Sequence, residues 1–429
     1  MEVLDMQTEF TTIRQDIHAH PEMAMTENRT SALVAAKLKE WGLTVTEGVG
    51  QFGVVGTLES LNPSNRSIGL RADMDALKLV ELNNVSYIST EPGKMHACGH
   101  DGHTAMLLGA AKYLSEHRDS FCGTVQFIFQ PAEERLKGAL AMINDSLFER
   151  FPVDAVYGLH NAPEQLGTFS IRSGPLMAAS DRWRVTFRGT GGHGGASAHL
   201  ATDVTVLQAQ FIMALQTIVS RNIDAVDPAV ISVGAIQAGS FESTNVIPSE
   251  IRIGGTARSL TASVRDLIER RMNELANNLA AAFGCTAQVE YYRGGIPLVN
   301  HDEQTKRAIK AAETVVGSTN VNKNRQPLMG SEDFAFMLLE RPGAFIIMGT
   351  NNGTEAKMLH SPDYDFNDDA IPFGIAYWIA LVQQELKGTF QNVCRSAGHS
   401  AVQLLERYAA LSLCLSVVLI PLCRSHAAA

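Results

Sequence analysis

Between residues 181 and 292 the rhythm of strand and helix in this chain changes, and beyond that stretch the earlier rhythm resumes. Up to residue 160, Gly53 to Glu59, Ser67 to Asp73, Gly123 to Gln130 and Ala155 to His160 read as short apolar strands. Thr30 to Trp41 and Thr104 to Tyr113 read as helices between them, and residues 2 to 20 as a helix before them. That alternation predicts a mostly parallel sheet with helices on both faces. From Trp183 the order becomes a strand (WRVTFR), a helix over Ala201 to Arg221, strands over Ala229 to Ile236 and Glu250 to Ala257, a helix over Ser263 to Phe283, and a strand over Thr286 to Tyr292. The order β-α-β-β-α-β describes a split, ferredoxin-like unit of about 110 residues inserted as a block. After it, His301 to Thr314, the segment opened by Gly330, and Ala370 to Leu386 read as helices, with a core strand at Ala344 to Gly349. The expected partition is 1–178 and 295–388 for an α/β domain, 179–294 for the insert, and 389–429 for an appended tail.

A length of 429 residues suits two such domains. A formal net charge of −10, with no basic run, argues against nucleic acid or an anionic membrane as partner. The N-terminus has neither a positive segment nor an apolar one of the secretory type, so no leader is expected. The six cysteines show no paired spacing, which fits a reduced, cytoplasmic setting better than a disulfide framework. The apolar run Ala409 to Cys423 is shorter than the roughly 20 residues of a membrane span. It reads as an appended tail, an interface helix or a weak anchor.

The chemistry concentrates in His96-Ala97-Cys98-Gly99-His100-Asp101-Gly102-His103, a thiol, three imidazoles and a carboxylate in eight residues. Its glycines allow the backbone to bend tightly and approach a bound ion. Further ligand types stand where other strands end: Glu133 and Glu134 after Gln130-Pro131, His160 after AVYGL, and His360 in the loop before the last helix. Carboxyl ends of neighbouring parallel strands converge on one crevice. One zinc ion needs three or four ligands. Cys98, His100, Glu134, His160 and His360 suit two metals sharing a water, with Glu133 placed to take that water's proton. His18 and His20 are spaced to ligate from a strand, or equally to end a helix before Pro21. Helix 203–220 is rich in large apolar residues; its exposed face or the sheet edge is a candidate dimer surface, and an intramolecular role fits the pattern as well.

The chain resembles the amidohydrolase branch of the co-catalytic metallopeptidases, which includes hippurate hydrolases, N-acyl-amino-acid amidohydrolases and auxin-conjugate hydrolases. The resemblance runs through RADMDAL (Arg71 to Leu77), HACGHDGHTAMLLGAA (His96 to Ala111), QPAEE (Gln130 to Glu134), GLHN (Gly158 to Asn161), GGHG (Gly191 to Gly194), NVIP (Asn245 to Pro248), GSEDF (Gly330 to Phe334) and LHSPDYDFND (Leu359 to Asp368). It implies a zinc-peptidase-like α/β catalytic domain interrupted by a ferredoxin-like dimerisation domain. It implies Cys98, His100, Glu134, His160 and His360 as ligands of two divalent ions (manganese, zinc, cobalt or nickel) and Glu133 as the base. It further implies His193 at the scissile carbonyl, often from the neighbouring subunit, and Asn245 and Arg258 on the substrate carboxylate. Asp75 and His103 are expected behind the ligands, fixing an imidazole tautomer. The implied reaction is cleavage of an N-acyl or N-aroyl amino acid by a homodimer or higher homo-oligomer in the cytoplasm. A dipeptidase or carboxypeptidase using the same centre, or an inactive metal-binding scaffold, are the alternatives. The chain departs from the family after the GGHG loop, where Ala198 precedes His199 in place of a proline, a change that bears on acyl preference.

Overall fold

The computed structural model describes residues 3–353 and 357–387, which divide into two compact units. One is made of the chain up to Ile171, Asp302–Asn324 and the described residues from Arg341 onward; the other of Arg172–His301 and Arg325–Glu340. The second unit thus takes in Arg325–Glu340, which a boundary near residue 294 assigns to the first. The tail expected after residue 388, with its apolar run, lies outside the described residues.

The first unit opens with α1 (Gln7–Ala19) and α2 (Asn28–Glu40), followed by β1 (Thr44–Val49), β2 (Gly53–Glu59) and β3 (Asn62–Asp73). Then come α3 (His100–Glu116), β4 (Cys122–Gln130), β5 (Ala155–Gln165) and the short β6 (Phe169–Ser170). In the second unit β7 (Ala179–Arg188), α4 (Val204–Thr217), β8 (Ala229–Gln237), β9 (Glu250–Ser259), α5 (Ala262–Ala282) and β10 (Thr286–Gly295) follow one another. The chain returns to the first unit with α6 (Asp302–Val316), β11 (Val321–Asn322), β12 (Gly343–Asn351) and α7 (Ile371–Glu385).

The sheet of the first unit has the order β1-β2-β4-β3-β5-β12-β6-β11 among the described residues. Its central strands β4, β3, β5 and β12 are mutually parallel, while β1 and β2 add antiparallel to one side and β6 pairs antiparallel with β12. The sheet is therefore mixed, with a parallel centre. Parallel strands are covered on both faces by their crossovers, and six consecutive residues of β4, Val125 to Gln130, are accordingly shielded from solvent. Helix α3 is buried around its whole circumference over its first three turns and packs on α1, α2 and α7. At Gly102 a Cβ would overlap the Phe366 ring, so only glycine admits that contact.

The second unit's four-stranded sheet has the order β8-β9-β7-β10, with every neighbouring pair antiparallel. Asp203 caps α4 by accepting from the Thr205 N–H at 2.8 Å, and Thr261 caps α5 through the Val264 N–H. The last turn of α4 widens into a π-turn over Ile218–Asn222. One apolar cluster, from Trp183, Val185 and Phe187 of β7 to Ile268 and Met272 of α5, forms the core of this unit. A buried ion pair, Asp181 with Arg265, closes its end, and the Tyr291 hydroxyl donates to Asp181 at 2.9 Å.

His18 and His20 do not act together from a strand. Helix α1 ends at Ala19, so His18 lies in its last turn and His20 caps it with non-helical backbone. His18 is buried between Asp101 (2.9 Å) and Glu81 (3.0 Å), while the partly exposed His20 turns back to the Asp16 carbonyl. Among the described residues no helix is long and apolar enough to cross a membrane.

Candidate metal centre

Four of the five donors come from segments whose backbone is held in an unusual conformation, while His160 stands on the regular strand β5. Gly99 has φ +89°, which lets the loop turn sharply between Cys98 and His100 at the start of α3. After β4 the short helical turn Glu133–Arg135 is flanked by Ala132 (φ +56°) and Leu136 (φ +52°), and His360 itself has φ +63°. Left-handed backbone at non-glycine residues costs about 1–3 kcal/mol and persists where surrounding contacts impose it. Here those contacts are visible. Asp75, just beyond β3, accepts the backbone N–H groups of Glu133 and Glu134 at 3.0 Å each, and the His360 N–H donates to the Ala97 carbonyl at 2.8 Å.

These turns bring five side chains together. Cys98 Sγ stands 3.4 Å from His160 Nε2 and 3.3 Å from His360 Nε2, and Glu134 Oε1 stands 3.3 Å from the same His360 nitrogen. Cys98, His100 and His160 form one tight donor group, Cys98, Glu134 and His360 a second, and His100, Glu133 and Glu134 a third. Ligands at 2.0–2.3 Å around a tetrahedral ion lie about 3.3–3.8 Å from one another, so this spacing is that of a coordination shell. Neither His100 ring nitrogen has a hydrogen-bond partner of normal geometry, nor does Glu134 Oε1, although all three atoms are buried. Orphaned donors of this kind fit a cation. The residues present therefore suit the group that the family resemblance implies.

Electrostatics follow from burial and from neighbours. Burial pushes the Cys98 thiol up to about 12, so a metal taking this sulfur must displace its proton. Burial, and then the ring of His103, hold His160 well below the usual imidazole range. Burial raises the Glu134 carboxyl, but His360 and His100 outweigh it and the net shift is downward. His96, fully buried with no partner at either nitrogen, is lowered by burial to about 3.

Asp75 lies 3.3 Å from His100 Nδ1. His103 binds Asp73 at 2.6 Å through Nδ1, and its Nε2 faces Asn161, 2.8 Å from the carboxamide Oδ1 and 3.0 Å from the backbone nitrogen. In the second unit, His193 sits on a two-residue strand paired with Val246, and the Gly194 N–H donates to the Asn245 carbonyl at 2.7 Å. That places His193 and Asn245 side by side. Arg258 stands on β9, and its guanidinium donates to the Ala257 carbonyl at 2.9 Å and to Thr256 Oγ1.

Residues without chemistry of their own complete the first unit's site, and the sequence reading assigned none of them a role. Arg14 binds Asp368 through two nitrogens (2.7 and 2.8 Å) and Asp365 at 3.0 Å, and lies 3.6 Å from Asp101. It thereby joins the loop of His360 to the first turn of α3. A charge on a buried helix face, in line with Phe10, Ile13 and Ile17, was the available signal for it. Asn161 and Tyr364 lie inside the motifs that carry His160 and His360.

A parallel-centred α/β sheet with this donor cluster beside its strand ends defines a metal-dependent hydrolase. The chain belongs to peptidase family M20/M25/M40, whose sequence pattern matches residues 69–384. It is 41% identical over 389 residues to a hippurate hydrolase of Campylobacter jejuni subsp. jejuni, covering 90% of this chain and 99% of that protein. It is 38% identical over 366 residues to an N-acetyl-L-cysteine deacetylase of Bacillus subtilis, covering 84% of each. Among solved structures it resembles the Bacillus subtilis YXEP protein, a dinuclear metal binding peptidase of the M20 family, with TM-score 0.78 and 30% identity, over 90% of this chain and 99% of that one.

Proposed function

We propose that this chain is a dinuclear-metal amidohydrolase that splits N-acyl or N-aroyl amino acids, of the hippurate or N-acetyl-amino-acid kind, into a carboxylic acid and a free amino acid. The observation that carries it is the meeting of Cys98, His100, Glu134, His160 and His360 around one locus with the Glu133 carboxylate beside it. These five side chains would hold two divalent ions, and sulfur with imidazole and carboxylate admits zinc, cobalt, manganese or nickel. Ions so held supply Lewis-acid polarisation of the amide carbonyl and acidify water. Glu133 takes a proton from the attacking water as its oxygen bonds to the carbonyl carbon, and delivers it to the amine nitrogen as the C–N bond breaks. Asp75 keeps Glu133 in reach by binding its backbone N–H.

Residues 179–294 form, in this reading, a ferredoxin-like lid and dimerisation module between two parts of a catalytic domain, 1–178 and 295–388. The edge strand β8, with exposed Val230 and Ile236, offers the dimer contact of a cytoplasmic homodimer. His193 supports the scissile carbonyl. The backbone N–H groups of Gly195 and Ala196 both donate to its Nδ1 at 3.1 Å, which leaves the proton on Nε2 and makes that nitrogen a donor. Asn245 and Arg258 hold the substrate carboxylate, a task suited to a planar guanidinium.

The test is release of free amino acid from N-benzoyl, N-acetyl and dipeptide substrates by metal-stripped protein resupplied with each of the four ions. Metal-dependent release from the N-acyl compounds is expected, falling by about 10²–10⁴ in Glu133→Gln at unchanged metal content. Absence of release with every ion sinks the proposal, and release from dipeptides alone replaces it with a dipeptidase.

A further inference from the structure

Three of the donor-bearing segments meet a second time, one layer beneath the donors. Asn161 directly follows His160, and its carboxamide Nδ2 donates to the Tyr364 hydroxyl at 2.6 Å. Tyr364 lies on the loop of His360, whose turn is closed by the Tyr364 N–H donating to the Ser361 carbonyl. Gly99, between Cys98 and His100, rests on the same pair: a Cβ there would run into the Asn161 carboxamide and the Tyr364 hydroxyl. The other end of the Asn161 carboxamide lies 2.8 Å from His103 Nε2, one turn further along α3. Asn161, Tyr364 and His103 are all buried, so no water competes for these contacts.

We propose that the Asn161–Tyr364 hydrogen bond is the positioning element that sets the separation of Cys98, His100, His160 and His360; the inference rests on the metal centre proposed above. The geometry argues for spacing as its task. A side chain that merely filled space would touch one ligand segment, whereas this bond is the common floor of three that are far apart in sequence. Its two partners are anchored to different secondary elements, β5 and the loop after β12, so its length constrains how far His160 and His360 stand from each other across Cys98. Groups that orient metal ligands from behind typically change affinity or activity by about 10–100-fold when removed.

The experiment titrates the metal-stripped full chain with cobalt(II), reading the dissociation constants by chelator competition and the geometry by the thiolate-to-cobalt absorption band. Tyr364→Phe deletes the hydroxyl alone, and Asn161→Ala removes the other half of the bond. Tyr157→Phe is the control: it removes a hydroxyl equally buried in the same unit, bonded to Glu385 at 2.6 Å. Expected is a loss of about 10–100-fold in cobalt affinity with a shifted or weakened band in Tyr364→Phe and Asn161→Ala, while Tyr157→Phe matches the unsubstituted protein. Thermal unfolding of the metal-free variants confirms that each is folded. Tyr364→Phe with unaltered affinity and band overturns the positioning role alone, as does the same spectral change in Tyr157→Phe. Failure of the unsubstituted chain to bind two cobalt ions overturns the metal centre itself, and the positioning role with it.

Discussion

Most motif residues of the first unit and those of the second stand in opposite physical settings, the exposed His360 of the first unit being the exception. In the first unit Cys98, His100, His103, Asp73 and Asp75 are all under 8% exposed, and side-chain contacts link His100 to Asp75, His103 and Arg71 to Asp73, and Cys98 to His160. In the second unit the exposed His193 and Asn245 are held by a two-residue ladder and a glycine-rich turn, and the His193 ring bonds only backbone N–H groups of that turn. The difference teaches where damage travels. A buried polar group that loses its partner incurs its full desolvation cost, whereas an exposed one returns to water. Substitutions in the first group should therefore alter stability and site together, and those in the second should separate them.

The sharpest way to break that comparison is Arg14→Met. The guanidinium is fully buried and faces Asp101, Asp365 and Asp368; burial works against its charge, and those three carboxylates more than compensate. Removing it strands the carboxylates, and breaking a buried ion pair from one side costs about 3–5 kcal/mol. Urea unfolding of the metal-free protein, followed by a probe in the first unit, should show that loss. A loss under about 1 kcal/mol would mean the network is solvated and the contrast between the units is illusory.

Next in size is Glu27→Gln, which tests burial through pH. Burial, and then the nearby Asp75, raise the Glu27 carboxyl from 4.5 to about 7, while its Oε1 accepts the Ala132 N–H at 2.8 Å. A raised folded-state pKa means that folding favours the protonated form. The stability this group contributes is full below about pH 4.5 and is lost as pH rises through 7, a decline of about 2–3 kcal/mol between pH 5 and 9. The glutamine keeps the acceptor and lacks the charge, so the difference in unfolding free energy between the two proteins should change by that amount across the window. A difference that stays constant with pH would show that Glu27 is not carrying a buried charge at high pH.

How much of this was legible in the sequence depends on what each residue's environment leaves in the pattern. Strands buried on both faces appear as continuous apolar runs, so β2, the inner half of β3, β4, β5 and β12 are visible. The edge strand β1 (TVTEGV) exposes most of its residues and has no apolar face to betray it. Leu61 to Asn65 reads as a turn because of Pro63, yet β3 starts at Asn62; the pairing there is irregular up to Ser67, where an exposed strand end tolerates proline. The proposed donors and Glu133 stand out in the sequence because ligand chemistry restricts residue type. Asp73 and Asp101, by contrast, bind His103, His18 and Arg14, partners that sequence spacing does not reveal.

Gly102→Ala asks whether the packing under the donors is as tight as their hydrogen bonding. A Cβ at this position overlaps the Phe366 ring on the loop that also carries His360. Alanine is the better helix former, so any loss reflects overpacking alone. About 1–3 kcal/mol is expected in thermal or urea unfolding. An unchanged or raised stability would mean that the His360 loop yields to pressure, and that its contacts with α3 do not define the ligand spacing.

The smallest effect on stability belongs to His193→Ala, and it sharpens the comparison most. The imidazole is exposed, and its hydrogen bonds are to the N–H groups of Gly195 and Ala196 in its own turn. Water replaces both when the ring is removed, so the unfolding free energy should move by no more than about 0.5 kcal/mol. If Nε2 donates to the scissile carbonyl as proposed, kcat should nevertheless fall by about 10²–10³ at unchanged metal content, the size of one lost oxyanion donor. Full activity would remove His193 from the mechanism. A large loss of stability would instead show that the turn depends on its side chain, and that the second unit is built on the same terms as the first.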